Sequence, residues 1–129
     1  MAQEMTVALA TEFAEAWNTH DPDKVVSYFS EDGAFHSPIG PEHLGASHHG
    51  KKAVREAVAA FFARSPNGQF RNLRVHVFGD FGVFEWDFEE VDANGRKTSV
   101  AGCDILKFKG DKIHSKSVFR KQPVPAGKA

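Results

Sequence analysis

Apolar residues recur at helical spacing through the first half of the chain and at period two through the second half. Leu9, Phe13, Ala16 and Trp17, widened by Val7, Ala10 and Ala14, predict a helix over residues 6–17. Asn18-Thr19-His20 breaks it. Asp21-Pro22 supplies an N-cap and a proline at the first helical position, predicting a second helix over 22–30 that presents Val25, Val26 and Phe29. Glu31-Asp32-Gly33 ends that helix, and 34–39 reads as a short strand closed by Pro38 and Gly40. Residues 40–50, rich in Gly, Pro and His, read as a loop. A third helix over 51–63 turns Val54, Ala57, Val58, Phe61 and Phe62 inward, and Ser65-Pro66-Asn67-Gly68 stops it.

From Gln69 onward the pattern alternates, predicting strands over 69–78, 82–91, 96–108 and 112–121, with Asp92-Ala93-Asn94-Gly95 and Gly110-Asp111 in the hairpin turns. In the second of these strands Phe84, Trp86 and Phe88 alternate with Val83, Glu85, Asp87 and Glu89, so one face is apolar and the other polar. Helices followed by a meander of long antiparallel strands predict an α+β fold with the helices against one sheet face. The length of 129 residues fits a single domain over 1–129, ordered over about 6–121, with a loose Pro- and Gly-containing tail at 122–129.

One residue breaks the pattern. Strand alternation puts Asp104 on the same face as Val100, Gly102, Leu106 and Phe108, an expensive place for a carboxylate unless something pairs with it or uses it. What faces it depends on the last turn. A three-residue bulged turn, Lys109-Gly110-Asp111, sets Lys116 opposite Asp104, with His114, Val118 and Arg120 on the same face. It leaves Ile113, Phe119, Cys103 and Ile105 as an outer apolar patch. A two-residue Gly110-Asp111 turn instead sets Ile113, Ser115, Ser117 and Phe119 beside Asp104 and turns Lys116 away.

Composition narrows the function classes. The net charge of −1 with both signs interspersed offers no basic stripe for nucleic acid. No apolar run approaches the length of a bilayer span, and the acidic amino terminus lacks the basic start of a signal peptide, so the expectation is a soluble cytoplasmic protein. The single cysteine, Cys103, excludes an internal disulfide and reads as a packing residue on the face away from Asp104. Twelve phenylalanines in so short a chain imply a large aromatic core, an apolar pocket, or both.

Three runs, A-E-A-W-N-T-H-D-P-D-K-V-V-S-Y-F-S-E-D-G-A-F-H-S-P-I-G, G-K-K-A-V-R-E-A-V-A-A-F-F and A-G-C-D-I-L-K-F-K-G-D-K-I, resemble the ketosteroid isomerase and SnoaL-like group of the nuclear transport factor two superfamily. The resemblance extends from Ala8 to about Lys121. It implies a curved antiparallel sheet wrapped around three helices, a cystatin-like α+β roll with a cone-shaped apolar pocket, commonly as a homodimer. Residue by residue it carries over only in part. Steroid isomerases of this fold place a carboxylate base where Ser37 stands, and a tyrosine oxyanion donor where Phe13 stands. Their protonated aspartic acid matches Asp104. One of three roles survives, so the resemblance does not imply a straightforward steroid isomerase. In polyketide cyclases resembling SnoaL, an Asp near this place is the acid/base, which suits Asp104. Trp86 matches a pocket-lining place in the isomerase pattern, and alignment to that pattern favours the bulged-turn register.

The sequence therefore predicts a small cofactor-independent enzyme moving a proton on a hydrophobic carbonyl-containing molecule; the alternative is a non-catalytic binding module of the same fold. Asp104, Lys116, His36 and Arg120 are the catalytic candidates. Phe13, Trp17, Ser37, Trp86, Phe88, Val100, Leu106, His114 and Val118 are the candidate ligand-binding residues. The spacing of His36, His43, His48 and His49 fits no familiar zinc pattern, so no metal is predicted, and His49 is placed to cap the third helix. His76 alternates with Val75 and Val77 and faces away from the pocket. No cofactor motif is present. The predicted partners are a hydrophobic small molecule and a second copy of the chain across the outer sheet face, with neither nucleic acid nor membrane.

Overall fold

A computed structural model describes residues 3–123; the last six residues of the predicted tail lie outside the described residues. Helix α1 (Val7–Ala16) starts where the Thr6 hydroxyl accepts from the Leu9 N–H, and it runs into a 3-10 turn at Trp17–Thr19. His20 then takes a left-handed conformation, φ 57°, which ends the first helical unit. Asp21 caps α2 (Pro22–Val26) by accepting from the Asp23 and Lys24 N–H groups. α2 is shorter than predicted. Phe29, read from the sequence as helical, opens strand β1 (Phe29–His36), because the chain after Tyr28 is captured by the last strand: the Ile113 N–H donates to the Tyr28 carbonyl at 2.8 Å.

The segment 40–50, predicted as a loop, contains the short strand β2 (Ser47–His49), which pairs antiparallel with β1. Helix α3 (Lys51–Arg64) follows, capped by Gly50 with no side-chain hydrogen bond, so His49 does not cap it. Strands β3 (Gln69–Phe78), β4 (Phe81–Val91), β5 (Lys97–Lys109) and β6 (Lys112–Arg120) complete one six-stranded sheet in the order β2-β1-β6-β5-β4-β3. The long strands form the predicted meander. The pairing of β1 with β6, inside the sheet, is parallel, a departure from an all-antiparallel sheet.

The sheet curves because three of its ladders lose register: β1 against β6 between Phe29 and Ala34, β3 against β4 between Arg71 and Arg74, and β5 against β6 between Lys107 and Phe108. In β3 the bulge holds Asn72 at φ 55°, and its amide donates to the Asp87 carboxylate at 2.7 Å. The concave face wraps the helices. Its core centres on Phe13, fully buried, whose ring meets those of Trp17, Tyr28, Phe29 and Phe84 within 6.2 Å. Among the described residues no helix is long and apolar enough to cross a membrane.

Candidate functional site

The last hairpin combines features of both registers that the sequence allows. Its turn is the two-residue Gly110-Asp111, with Lys109 paired to Lys112, Phe108 to Ile113 and Gly110 at φ 60°. A bulge at His114 follows, so that Lys107 pairs with Ser115. The turn brings Ile113 inward, fully buried, rather than onto the outer face. The bulge then reverses the alternation and brings Lys116 inward, with Val118 and Arg120 following it to the cavity side. Asp104 stands opposite Val118, and Lys116 stands opposite Leu106, two residues along from the predicted alignment. His114 pays for the bulge by leaving the face of Asp104: its ring is half-exposed, with Nδ1 3.3 Å from the Ser30 hydroxyl and 3.6 Å from the Asp32 carboxylate.

Asp104 and Lys116 meet at the base of the sheet, 2% and 3% exposed, with Nζ 3.3 Å from Oδ2. The Trp86 indole N–H donates to the same Oδ2 at 3.1 Å. Gly102 makes that contact possible: it lies opposite Trp86 in the ladder, and a Cβ there would collide with the indole ring. Lys116 Nζ sits over the Trp17 ring, 4.2 Å from the centroid, and 5.3 Å from that of Phe35. Two buried polar atoms have no hydrogen-bond partner among the described residues, Asp104 Oδ1 and Trp17 Nε1. Burial pushes the Asp104 carboxyl above the usual carboxylate range, opposed by the Lys116 charge and the Trp86 hydrogen bond. Burial pulls the Lys116 ammonium down, opposed by Asp104. Both shifts favour the uncharged forms.

Above the pair opens a cavity of about 510 Å³ between the 3-10 turn, α3 and the concave sheet. Its walls are aromatic: Trp17, Phe35, Phe61, Phe70, Trp86 and Phe88. Lys116 and Val118 line its floor, Ser37, Ser65 and His48 add polar groups, and exposed Ile39, Arg64 and Arg120 also line it. A pocket of about 10 Å³ behind Trp17 and Trp86 touches both Asp104 and Lys116. Lys116 thus borders both spaces, whereas Asp104 borders only the inner one.

Of the sequence candidates, the structure brings Trp17, Ser37, Trp86, Phe88, Lys116, Val118 and Arg120 to the main cavity. Phe13 and Leu106 are fully buried core residues that do not line it, because the 3-10 turn carries Trp17 between Phe13 and the space. Val100 is half-buried beyond the lining. His36 is buried behind Ser47, whose hydroxyl lies 2.7 Å from Nδ1, and burial together with His49 holds its pKa below the usual histidine range. It too lies outside the lining. His76 faces away, with Nε2 2.9 Å from Glu85. Among the described residues no group of three His, Cys, Asp or Glu side chains could hold a metal ion.

Several lining residues were not among the sequence candidates, Phe35, Phe61, Arg64 and Phe70 among them. The three rings were hidden among the twelve phenylalanines. Arg64 carried one readable signal, its spacing of three from the inward Phe61 on α3.

Comparison with known proteins agrees with this architecture. The family described as SnoaL-like domain matches residues 10–115. No curated protein matches the chain. Among solved structures, it resembles a candidate polyketide cyclase from Xanthomonas campestris pv. campestris, at 20% identity over 87% of each chain and a TM-score of 0.76. It also resembles a protein with a ketosteroid isomerase-like fold from Catenulispora acidiphila DSM 44928 in complex with trimethylamine, at 20% identity over 89% of this chain and 86% of that one, TM-score 0.77. TerC co-crystallised with polyporic acid shares 14% identity over 89% and 90% of the two chains, TM-score 0.73. With its family match running from the first helix into the last strand of the sheet that encloses the cavity, the chain belongs to the SnoaL-like domain family.

Proposed function

We propose that this protein is a cofactor-independent enzyme that moves a proton on a hydrophobic, enolisable carbonyl compound, with Lys116 as the group that meets the substrate. The observation that carries this reading is the buried Lys116–Asp104 pair at the floor of an aromatic cavity, with the lysine on the cavity side. An amine whose burial favours its neutral form can take an acidic C–H proton. The proton passes from carbon to Nζ. The new ammonium faces the enolate oxygen on one side and Asp104 on the other, and the proton returns to the carbon skeleton at the same or another position. Asp104 and Trp86 act as positioning residues, through Lys116 and the 3.1 Å indole hydrogen bond. This differs from the sequence expectation, in which Asp104 itself touched the substrate.

The test is hydrogen–deuterium exchange of 2-tetralone in heavy water, followed by proton NMR. The wild type exchanges the α-protons well above the buffer rate, and Lys116→Met falls by roughly 100-fold or more, the usual size of a general acid–base contribution. Equal rates for a folded Lys116→Met and the wild type would remove the reading.

The rings of Trp17, Phe70 and Trp86 stand between Asp104 and the main cavity, and that observation favours the non-catalytic alternative, in which the pair is structural and the cavity holds a ligand unchanged. Binding of 2-tetralone without exchange is its signature. In either case we read the chain as a homodimer through the outer sheet face, where Ile105 and Phe119 are 39% and 48% exposed beside half-buried Cys103. A monomeric mass in light scattering would overturn that part.

A further inference from the structure

We propose that the molecule this cavity takes is a flat aromatic anion, its acidic group held by Arg64 and Arg120. The inference rests on the reading of the cavity as a substrate site and adds the chemical class. Across the whole chain acidic and basic residues nearly balance, at a net charge of −1. Around the cavity they do not: its lining contains Arg64, Lys116 and Arg120 and no aspartate or glutamate.

Three of the other four arginines have a carboxylate partner, and of those four only Arg96 lacks one among the described residues. Arg55, Arg71 and Arg74 each meet a carboxylate on the surface. Neither Arg64 nor Arg120 forms an ion pair among the described residues. Lys116 already has its carboxylate in Asp104, which leaves the two guanidinium groups as the unmatched charge of the cavity.

Both line the same cavity, and a run of aromatic contacts leads from one toward the other. Arg120 lies over the Phe88 ring, 5.1 Å from its centroid, and Phe88 meets Phe61 at 5.6 Å. Phe61 and Arg64 are three apart on α3 and share its inward side. Arg120 therefore follows the Phe61–Phe88 wall, and Arg64 lines the cavity one helical turn from Phe61. A planar ring system slides between such aromatic walls, and two guanidinium forks suit a carboxylate or enolate better than a single ammonium would. With the anion at the arginines, the body of the molecule extends past Trp86 toward Lys116, which sets the reacting carbonyl apart from the acidic group.

The experiment compares naphthalene-2-carboxylate with naphthalene-2-carboxamide by calorimetry on the wild type, Arg64→Gln, Arg120→Gln and Lys116→Met proteins. Both tryptophans of the chain line the cavity, so the two indole N–H signals in a nitrogen-15 NMR spectrum report whether each probe enters it. The carboxylate binds roughly tenfold or more tightly than the amide, since hydrogen bonds to a charged group exceed neutral ones by about that much. Each arginine substitution shrinks this preference while leaving amide affinity unchanged, the double substitution abolishes it, and Lys116→Met keeps it. Arg64→Lys and Arg120→Lys, which keep the charge and lose the fork, retain part of it.

Equal affinity for the two probes, failure of both to shift the indole signals, or a preference that survives the double substitution overturns the proposal. A preference lost only in Lys116→Met also overturns it, by placing the anion at the floor. These outcomes are separate from catalysis. Intact preference without 2-tetralone exchange removes the proton-transfer reading alone, and exchange without preference removes the anion proposal alone.

Discussion

Two of the molecule's acid–base pairs stand in opposite surroundings. Arg55 reaches Asp23 at 2.6 Å on the outer side of α2 and α3, where both side chains stand largely in water. Lys116 reaches Asp104 at 3.3 Å under Trp17 and Trp86, where almost no water touches either. At the surface the attraction dominates: the Arg55 hydrogen bond holds the Asp23 carboxyl below the usual carboxylate range. At the base of the sheet desolvation dominates, and the same kind of partner fails to keep the Asp104 carboxyl from being pushed up. The pair as such has no fixed chemistry. What it can do is set by the aromatic shell around it, which is why the buried pair and not the surface one is the candidate for proton transfer.

The largest effect that would sharpen this contrast comes from breaking each pair. Asp104→Ala leaves the buried Lys116 amine with only ring faces around it and lowers stability to urea by about 1–3 kcal/mol, the cost of an unsatisfied buried polar group. The double variant Asp104→Leu with Lys116→Met removes both polar groups together and recovers most of that loss. Asp23→Asn, the surface counterpart, leaves the urea midpoint essentially unchanged. If Asp104→Ala proves as mild as Asp23→Asn, the two regions are electrostatically alike and the contrast fails.

A smaller effect lies in pH. The Asp104 pKa is raised on folding, so its contribution to stability is full below the ordinary carboxylate value of 3.8 and is lost as pH rises through the folded value. The Lys116 pKa is lowered, so its contribution is full above the ordinary lysine value of 10.5 and is lost as pH falls through the folded value. Subtracting the stability of the Asp104→Leu, Lys116→Met protein isolates the pair, and the difference is least favourable to the wild type between these limits. A difference that peaks there instead would mean that attraction outweighs desolvation.

Much of this arrangement was legible in the sequence, and the parts that were not have physical reasons. The alternation of Phe84, Trp86 and Phe88 reveals the inner face of β4 because period two leaves no other face for them. Asp21-Pro22 marks the start of α2 because cap and proline act locally. Phe29 misleads because its strand conformation depends on a parallel pairing with Ile113, more than eighty residues away, which no local pattern records. The last hairpin misleads for a different reason. A two-residue turn and a bulge at His114 cancel in parity, so Lys116 faces inward as it would after a bulged turn, while Ile113 and His114 exchange faces. Asp104 stood out as a charge on an apolar face; its separation from the cavity by Trp17, Phe70 and Trp86 is a matter of packing. Arg64 reads as an ordinary basic residue in the last turn of a helix until the wall it follows is seen.

The account turns on desolvation winning over attraction at the base of the sheet, and carbon-detected NMR titration of the Asp104 carboxyl tests this most directly. The carboxyl signal, assigned by its disappearance in Asp104→Asn, should titrate above the ordinary carboxylate value of 3.8. A midpoint at or below that value would show a permanently charged salt bridge with Lys116 and would contradict the account.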